Sequence, residues 1–430
     1  MTWAVAFRLR RYLRESLWVL PLLGGVLGWA LGLTAADVSA VTDVSTRWQY
    51  SAGTAQAVLA AVVAASVSLV GFVVTVSVLI VQMATGTFSA RYMRIFYRDW
   101  AFKAVLSVLI ATFTFSYTLM RHVEEDNVPN LGVTLVGTFL AAGVLLFVIF
   151  LDRAIHRLRP VAVAALVAKA GRKALHEVLE EAARPDAPAV VPAPYDAPGE
   201  PVLVVRMVRG GAIQAIDVRG LGKWAHANDS LVVLRHPIGD FVSAGAALME
   251  VYGLDPGHGA EDRLRAMVAL GVERTIEQDP AFAVRIMVDI AIRALSPAVN
   301  DPTTAVQVLD HLEDLLRLVG QTDLSDQGVP RVERMESGLV IPVRRWDDYL
   351  TMSVTEIREY GDTSIQVVRR LRAMLEELSE AVLPERREAV ARELERLDES
   401  VAAKWGGTVD VDLAGASDRQ GVGGPSGRAE

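Results

Sequence analysis

The sequence contains no cysteine. Disulfide bonds, thiolate metal sites and cysteine nucleophiles are therefore excluded, and the redox compartment of the protein is left open. A basic excess is also lacking, because 43 lysines and arginines stand against 51 aspartates and glutamates, which gives a formal net charge of -8. Without a basic patch there is no electrostatic footprint for nucleic acid, and we expect no nucleic-acid partner.

Familiar catalytic motifs are missing as well. The seven histidines are scattered, and His176-Glu177 lacks the second histidine of a zinc-protease helix. Neither GxxxxGKS nor GxxxxGKT occurs, and Gly220-Leu221-Gly222 does not extend to a dinucleotide-binding loop. No GxSxG nucleophile elbow is present. These absences disfavour an enzyme without deciding the question, and the sequence indicates no metal and no cofactor.

Long apolar runs fill the first third of the chain. A helix rises about 1.5 Å per residue, so about 20 mostly apolar residues are needed to cross the hydrocarbon core of a bilayer. Four runs qualify, and in lipid each must be a helix so that its backbone groups are paired. The predicted spans are residues 17–36, 55–83, 105–120 and 131–151.

Basic residues fall on one side of these spans. They are Arg8, Arg10, Arg11 and Arg14 before the first span, Arg91, Arg94, Arg98 and Lys103 between the second and third, and Arg153, Arg157 and Arg159 after the fourth. By the positive-inside rule, we expect both termini in the cytoplasm. A cleaved signal peptide ending near Thr34-Ala35-Ala36 is the alternative for the first span. The apolar run exceeds the usual signal core of about 7–15 residues, which favours a span.

Two of the predicted spans carry patterned small residues. Gly24, Gly28 and Gly32 share one face of span one, where another backbone approaches closely. Packing within the chain is the favoured interpretation, and a contact between subunits is the alternative. Span two carries a weakly polar stripe with a period of about 3.5 residues, formed by Ala57, Ala61, Ala64, Ser68, Gly71, Thr75, Val78 and Gln82. Such a stripe packs against a neighbouring helix or lines a narrow aqueous path.

The spans lack deeply placed charges. No aspartate, glutamate, lysine, arginine or histidine lies deep in any of them, which argues against a proton relay or a voltage sensor. The pattern is compatible with a pore lined by hydroxyls and backbone. Ser89, Arg91 and Arg94 follow span two, and they predict either a coupling loop onto the rest of the chain or simple positive-inside anchoring.

Composition divides the chain into five regions. A proline-rich stretch indicates a linker, β-rich runs between glycine turns predict a small, mostly antiparallel, barrel-like module, and helical patterns follow. The expected regions are a membrane domain at 1–160, an exit helix and linker at 161–201, the β module at 202–255, a helical cytoplasmic domain at 256–405 and a disordered tail at 406–430. The predicted fold class is an α-helical integral membrane protein with four transmembrane helices, followed by an α+β cytoplasmic region.

The densest polar constellation surrounds the pair Asp301-Pro302. Aspartate at the N-cap and proline at the first helical position predict a helix start, whose free N–H groups and dipole attract anions. A well-capped turn between helices is the favoured interpretation, and a ligand or ion site, of unknown ligand, or a subunit contact are the alternatives. The candidate ligand or coupling site comprises Asp289, Arg293, Ser296, Asn300, Asp301, Thr303 and Thr304.

Several segments together resemble a bacterial family of predicted membrane proteins, DUF2254. The segments that carry the resemblance are Gln82 with 88–91 (FSAR), 274–279 (RTIEQD), 290–305 (IAIRALSPAVNDPTTA), Tyr349-Leu350 and 357–361 (IREYG). The resemblance spans most of the chain. It implies four membrane helices in a bacterial cytoplasmic membrane and a cytoplasmic domain, and it implies no established activity and no catalytic residue.

Two functional hypotheses follow. The favoured one is a homo-oligomeric channel or transporter-like protein, lined by span two and gated by the cytoplasmic domain. The alternative is a non-transporting membrane sensor or scaffold that binds a cytoplasmic partner or a small ligand. An enzyme ranks third, and a metal or phosphate held among Asp279, Asp289 and Asp301 would strengthen it.

Overall fold

The computed structural model describes residues 2–41, 49–87, 99–125, 127–157, 159–182, 189–192, 199–254, 257–322 and 338–422. The chain divides into two compact units. One consists of Arg10–Arg159 and is called the membrane unit below. The other joins Met1–Leu9 to Pro160–Glu430 and is called the C-terminal unit.

The apolar N-terminal third is helical. Its helices are α1 (Trp3–Glu15), α2 (Val19–Val41), α3 (Ala52–Thr87), α4 (Trp100–Met120) and α5 (Asn130–Arg157). By length and composition, the described stretches Ala52–Met83, Trp100–Met120 and Asn130–His156 can each cross a membrane. Helices α1 and α2 meet at 71°, and they add a fourth candidate span if the bent pair is counted as one. The structure thus supports three or four candidate spans where the sequence predicts four.

Helix α4 packs against α2, α3 and α5 and is the centre of the membrane unit. It begins after Asp99, whose carboxylate accepts a hydrogen bond from Ala101 N at 3.2 Å. Leu109 and Phe115 on α4 are almost fully buried, each within a separate apolar cluster. Both side chains pack against neighbouring helices instead of lipid tails, and such close packing stabilises the association of helices in a bilayer.

The C-terminal unit combines helices with short strands. Its helices are α6 (Pro160–Ala182), α7 (Val218–Ala227), α8 (Ala260–Arg265), α9 (Pro280–Ala294), α10 (Pro302–Gln321), α11 (Trp346–Gly361), α12 (Ile365–Ala381), α13 (Arg387–Trp405) and α14 (Val411–Gly415). Its strands are β1 (Ala189–Pro192), β2 (Leu203–Arg206), β3 (Gly211–Ile216), β4 (Ser230–Leu234), β5 (Phe241–Val242), β6 (Ala247–Gly253), β7 (Val268–Gly271) and β8 (Gly338–Val343).

The described strands form two open sheets and no closed barrel. One sheet has the order β1-β8-β4-β6-β2, and the other has the order β5-β3-β7. Strand β8 lies parallel to both β1 and β4, whereas the other pairings are antiparallel. The barrel-like closure expected for residues 202–255 is absent, because β1 and β8 come from outside that segment and extend the sheet beyond it.

The two Asp-Pro pairs begin helices as the sequence predicts. Asp279 caps α9 and accepts from Phe282 N at 3.2 Å. Asp301 caps α10 and accepts from Thr304 N at 3.1 Å. Each carboxylate thereby satisfies a backbone donor that the first turn of a helix leaves unpaired.

The chain after Gly406 differs from the sequence prediction of disorder. Residues 406–422 include α14, in which Ala414 is fully buried. Asp418 forms an ion pair with Arg369 of α12 at 3.2 Å, and both side chains are under a tenth exposed. The Gly/Ser/Asp-rich composition predicts disorder, but this buried pair ties the segment down. Residues 423–430 lie outside the described chain.

Candidate functional site

Helix α3 buries one face and exposes the opposite one. Within the part of the membrane unit that the structure describes, Leu59, Ser66 and Val73 are fully buried. At about 100° per residue, the small-residue stripe is centred on the other side of the helix. All of its members are exposed, namely Ala57, Ala61, Ala64, Ser68, Gly71, Thr75, Val78 and Gln82. The stripe therefore packs against no described helix of its own chain.

The stripe has free space beside it at Gly71, and it is only weakly polar. A Cβ added at Gly71 would meet nothing within 4 Å. The Thr75 hydroxyl donates to the carbonyl oxygen of Gly71 at 2.9 Å, so its proton is satisfied inside the helix. Its oxygen still presents lone pairs on the exposed face. The face combines small volume with hydrogen-bond acceptors and carries no formal charge.

The glycine face of α2 packs within the membrane unit. A Cβ at Gly24 would lie 2.5 Å from the carbonyl oxygen of Ser107 on α4. A Cβ at Gly28 would lie 2.8 Å from Ala111 Cα and closer still to its carbonyl oxygen, and one at Gly32 would lie 2.6 Å from Thr118 Cβ. The backbones of α2 and α4 approach so closely that only glycine fits at these positions. The contact lies within one chain, which is the first of the two alternatives for the glycine face.

Only some of the polar residues predicted to surround Asp301 contact one another in the fold. Asp301 accepts from Thr304 Oγ1 at 2.5 Å, and Ser296 Oγ donates to the carbonyl oxygen of Arg293 at 2.7 Å. Asn300 has a φ of 49°, the left-handed conformation that asparagine tolerates well, and its N–H donates to Ser296 O at 2.9 Å. The side chains of Arg293, Asn300 and Thr303 are exposed. The hydrogen bonds form a capped turn between α9 and α10.

Asp289 belongs to a different cluster from that turn. Its carboxylate pairs with Arg285 at 2.8 Å, and Arg285 also pairs with Glu356 of α11 at 2.7 Å. The carboxylates of Asp279, Asp289 and Asp301 therefore do not share one site. No group of three or more histidine, aspartate or glutamate side chains that could hold a metal occurs among the described residues. The candidate coupling loop with Ser89, Arg91 and Arg94 lies outside them.

Sequence reasoning missed a buried polar cluster at the start of α9. The carboxylate of Asp279 is 3% exposed and accepts from Arg274 Nε at 2.9 Å. Arg344 pairs with Asp240 at 2.8 Å, and Tyr349 is 7% exposed. The members come from distant segments, so no spacing in the sequence predicts the cluster. The available signals were the segment Arg274–Asp279 and Tyr349-Leu350, both among those that carry the family resemblance.

Burial dominates the electrostatics of this cluster. It raises the pKa of the Asp279 carboxyl above its ordinary value, against the opposing charges of Arg274 and Arg344. Burial also raises the pKa of the Tyr349 hydroxyl, and the negative charge of Asp279 adds to that shift. Tyr349 is therefore a neutral hydroxyl at cellular pH, able both to donate and to accept a hydrogen bond.

The whole-chain comparisons agree with the membrane character of the fold. The chain matches the family described as "Predicted membrane protein (DUF2254)" over residues 14–377. Since the match covers most of the chain, the protein belongs to this family, and the resemblance inferred from the motifs is confirmed.

Similar proteins occur in mycobacteria. They include the uncharacterized proteins MT1328 and Rv1290c of Mycobacterium tuberculosis (strains CDC 1551 and H37Rv) and Mb1321c of Mycobacterium bovis. Each is 31% identical over 399 residues, which cover 89% of this chain and 75% of the relative. No solved structure matches the chain.

Proposed function

We propose that the protein is a homo-oligomeric, channel-like or transporter-like protein of the bacterial cytoplasmic membrane. It crosses the bilayer four times, with α2, α3, α4 and α5 as the spans and both termini in the cytoplasm. The 23 residues of α2 give about 35 Å of helix, enough for one crossing. The arginines before α2 and at the C-terminal end of α5 support the orientation.

The exposed stripe of α3 is the observation that carries the proposal. Lipid tails are as apolar as leucine, so a face of small residues gains little from lipid and much from close contact with another backbone. The membrane unit of one chain leaves that face uncovered. A second copy of the same chain supplies a matching face, and several copies around an axis would line a narrow path with Ser68 and Thr75 hydroxyls.

The length of α3 supports association as well. Its apolar stretch Ala52–Met83 has 32 residues and is about 48 Å long, against a hydrocarbon core of about 30 Å. A helix that exceeds the bilayer tilts or packs with others to cover the excess. Tilted copies that cross through small residues satisfy both requirements.

Control by the C-terminal unit is part of the proposal. The chain passes between the two units twice, within α1 and between α5 and α6. A rearrangement in the C-terminal unit therefore reaches the spans through two covalent connections. Helix α1 crosses the boundary between the units without a break at Leu9 and Arg10, and the 71° bend between α1 and α2 lies inside the membrane unit.

The second candidate is a membrane sensor that transports nothing. The cluster of buried Asp279 and Tyr349 with half-buried Arg344 favours it, because buried polar groups with shifted pKa values are frequent at ligand sites. In this case the turn at Asn300 and Asp301 contacts a cytoplasmic partner. Large residues on α3 would then leave signalling intact.

Flux measurements in proteoliposomes test the proposal. Purified protein is expected to release monovalent ions, and Thr75→Trp should abolish the flux by filling the path. Leu145→Trp is the matched control, since Leu145 is 62% exposed on α5 and lies off the stripe. Absence of flux under voltage, tension and added cytoplasmic solutes, or equal loss in both variants, would contradict the channel and favour the sensor.

A further inference from the structure

The C-terminal unit contains a cavity of about 530 Å³ beside the cluster of Asp279 and Tyr349. Its walls come from the last turns of α6, the junction of β3 and α7, the end of β8 and the start of α9. Trp3 of α1 also lines it. A volume of this size suits an organic molecule rather than a bare ion, because small-molecule sites enclose about 300–1,000 Å³.

The cavity combines apolar walls with an excess of negative charge. Leu175, Val178, Val218, Ile341 and Val343 provide apolar surface. Two arginines line it, Arg219 and Arg344, against six acidic side chains, which are Glu177, Glu180, Glu181, Asp217, Glu277 and Asp279. The lining therefore carries four more acidic than basic side chains, and two of these acids, Glu177 and Asp279, pair with Lys173 and Arg274 outside it.

The arginines at the cavity are already engaged by carboxylates. Arg219 pairs with Glu181 at 3.3 Å, and Arg344 pairs with Asp240 at 2.8 Å. Arg274, just behind the wall, is held by Asp279. An anionic ligand would have to displace one of these carboxylates and would also be repelled by the remaining acidic side chains, whereas a cation is attracted by the acidic excess of the lining.

One hydroxyl on the wall has no partner among the described residues. Tyr349 lines the cavity and is 7% exposed, and no described residue hydrogen-bonds its hydroxyl. The hydroxyl oxygen is not one of the fully buried unpaired side-chain atoms of the described chain, so it is open to the cavity. A water or the polar group of a ligand in the cavity can therefore pair with this hydroxyl.

We propose that this cavity binds a small organic cation with an apolar body. The positive group meets the acidic side of the cavity and the indole of Trp3, whose ring face attracts cations. The apolar body packs on Val178, Val218 and Ile341, and the Tyr349 hydroxyl accepts or donates a hydrogen bond at the inner end. The proposal does not rest on transport, since the same site serves a channel or a sensor.

Cysteine chemistry tests the charge preference, because the native chain has no cysteine. Val178→Cys places one thiol on the cavity wall, and Val409→Cys places one at a position that is 97% exposed and not on that wall. Full-length protein in a nonionic detergent is treated with trimethylammonium-ethyl or sulfonatoethyl methanethiosulfonate. The cation-to-anion rate ratio at Val178→Cys should exceed that at Val409→Cys by about tenfold.

Protection by a competitor tests binding itself. Phenyltrimethylammonium should slow modification of Val178→Cys by about threefold or more at millimolar concentration, and benzenesulfonate, of similar shape and opposite charge, should not. The Glu177→Gln, Glu180→Gln double variant should weaken protection without affecting Val409→Cys.

Fluorescence of Trp3 gives a second readout that needs no cysteine. Phenyltrimethylammonium should change the emission of the wild-type protein, and Trp3→Phe should remove that change. Equal protection by benzenesulfonate, no protection by either compound, or an emission change that persists in Trp3→Phe would overturn the proposal. Each of these outcomes leaves the flux result untouched, so the two proposals fail separately.

Discussion

Replacing Gly28 by alanine is expected to weaken the membrane unit at the contact between α2 and α4. The added Cβ would lie 2.8 Å from Ala111 Cα and closer to the Ala111 carbonyl oxygen. Both are backbone atoms of a helix, so neither can rotate away. The helices must separate, and the hydrogen bond from Thr114 Oγ1 to Gly25 O, now 2.9 Å long, is stretched.

The size of the effect follows from two opposing contributions. Overpacking of a close contact costs about 1–3 kcal/mol. Alanine is a better helix former than glycine by up to about 1 kcal/mol, which offsets part of that cost. We expect a net loss of about 1–2 kcal/mol, which lowers the melting temperature by roughly 2–8 °C at the sensitivity of a domain of this size.

Thermal stability in detergent, followed by size-exclusion chromatography of heated samples, measures this loss. Gly137→Ala is the matched control, because Gly137 lies on α5, off the stripe, and a Cβ there meets nothing within 4 Å. It should melt at or slightly above the wild-type temperature. If Gly28→Ala is as stable as Gly137→Ala, the close approach of α2 and α4 is wrong.

Other perturbations address the C-terminal unit. Arg370→Met removes one of the two arginine partners of buried Glu313, paired at 2.7 Å, and leaves Arg317 as the other. It should lower the free energy of unfolding by about 1.5–3 kcal/mol in thermal melts, and an unchanged melt would contradict the pairing. Burial lowers the pKa of His311 below 6.5, so the folded protein loses stability as the pH drops below about 6.5. His311→Gln should make this loss smaller in thermal melts between about pH 7 and pH 5. A loss as steep as in the wild type would refute the role of His311. Gly239 has a φ of 97°, and a Cβ there would lie 2.8 Å from Asp279 Cγ. Gly239→Ala should therefore lower the free energy of unfolding by about 1–3 kcal/mol. A neutral result would exclude this close contact between residue 239 and Asp279.

Local chemistry predicted the helix starts and the long apolar helices, because their causes lie within a few residues. Asp279-Pro280 and Asp301-Pro302 cap their helices whatever surrounds them. The sheet depends on distant partners instead. Strand β8 inserts between β1 and β4, and β1 lies in a stretch that its prolines marked as a linker. Composition carries no information about such a pairing.

The candidate sites also separate into features that the local sequence predicts and features that depend on the tertiary fold. Periodicity identified the stripe of α3, but both faces of that helix are apolar, so the pattern could not say which face is buried. Ser66 is buried and Ser68 is exposed, although they are two positions apart and chemically identical. The cavity was beyond sequence reasoning because Trp3, Asp279 and Tyr349 meet only through the tertiary fold.

Association of copies through α3 is the central claim, and disulfide cross-linking in native membranes tests it most directly. Gly71→Cys places a thiol on the stripe, and Leu145→Cys places one on exposed α5 at a similar depth, since Phe72 and Phe147 are in contact with ring centroids 5.6 Å apart. Under mild oxidation, Gly71→Cys should form a dimer band, because cross-linking requires Cα atoms within about 7 Å. Leu145→Cys should remain monomeric. An absent dimer at Gly71→Cys, or equal dimer in both variants, would contradict the claim.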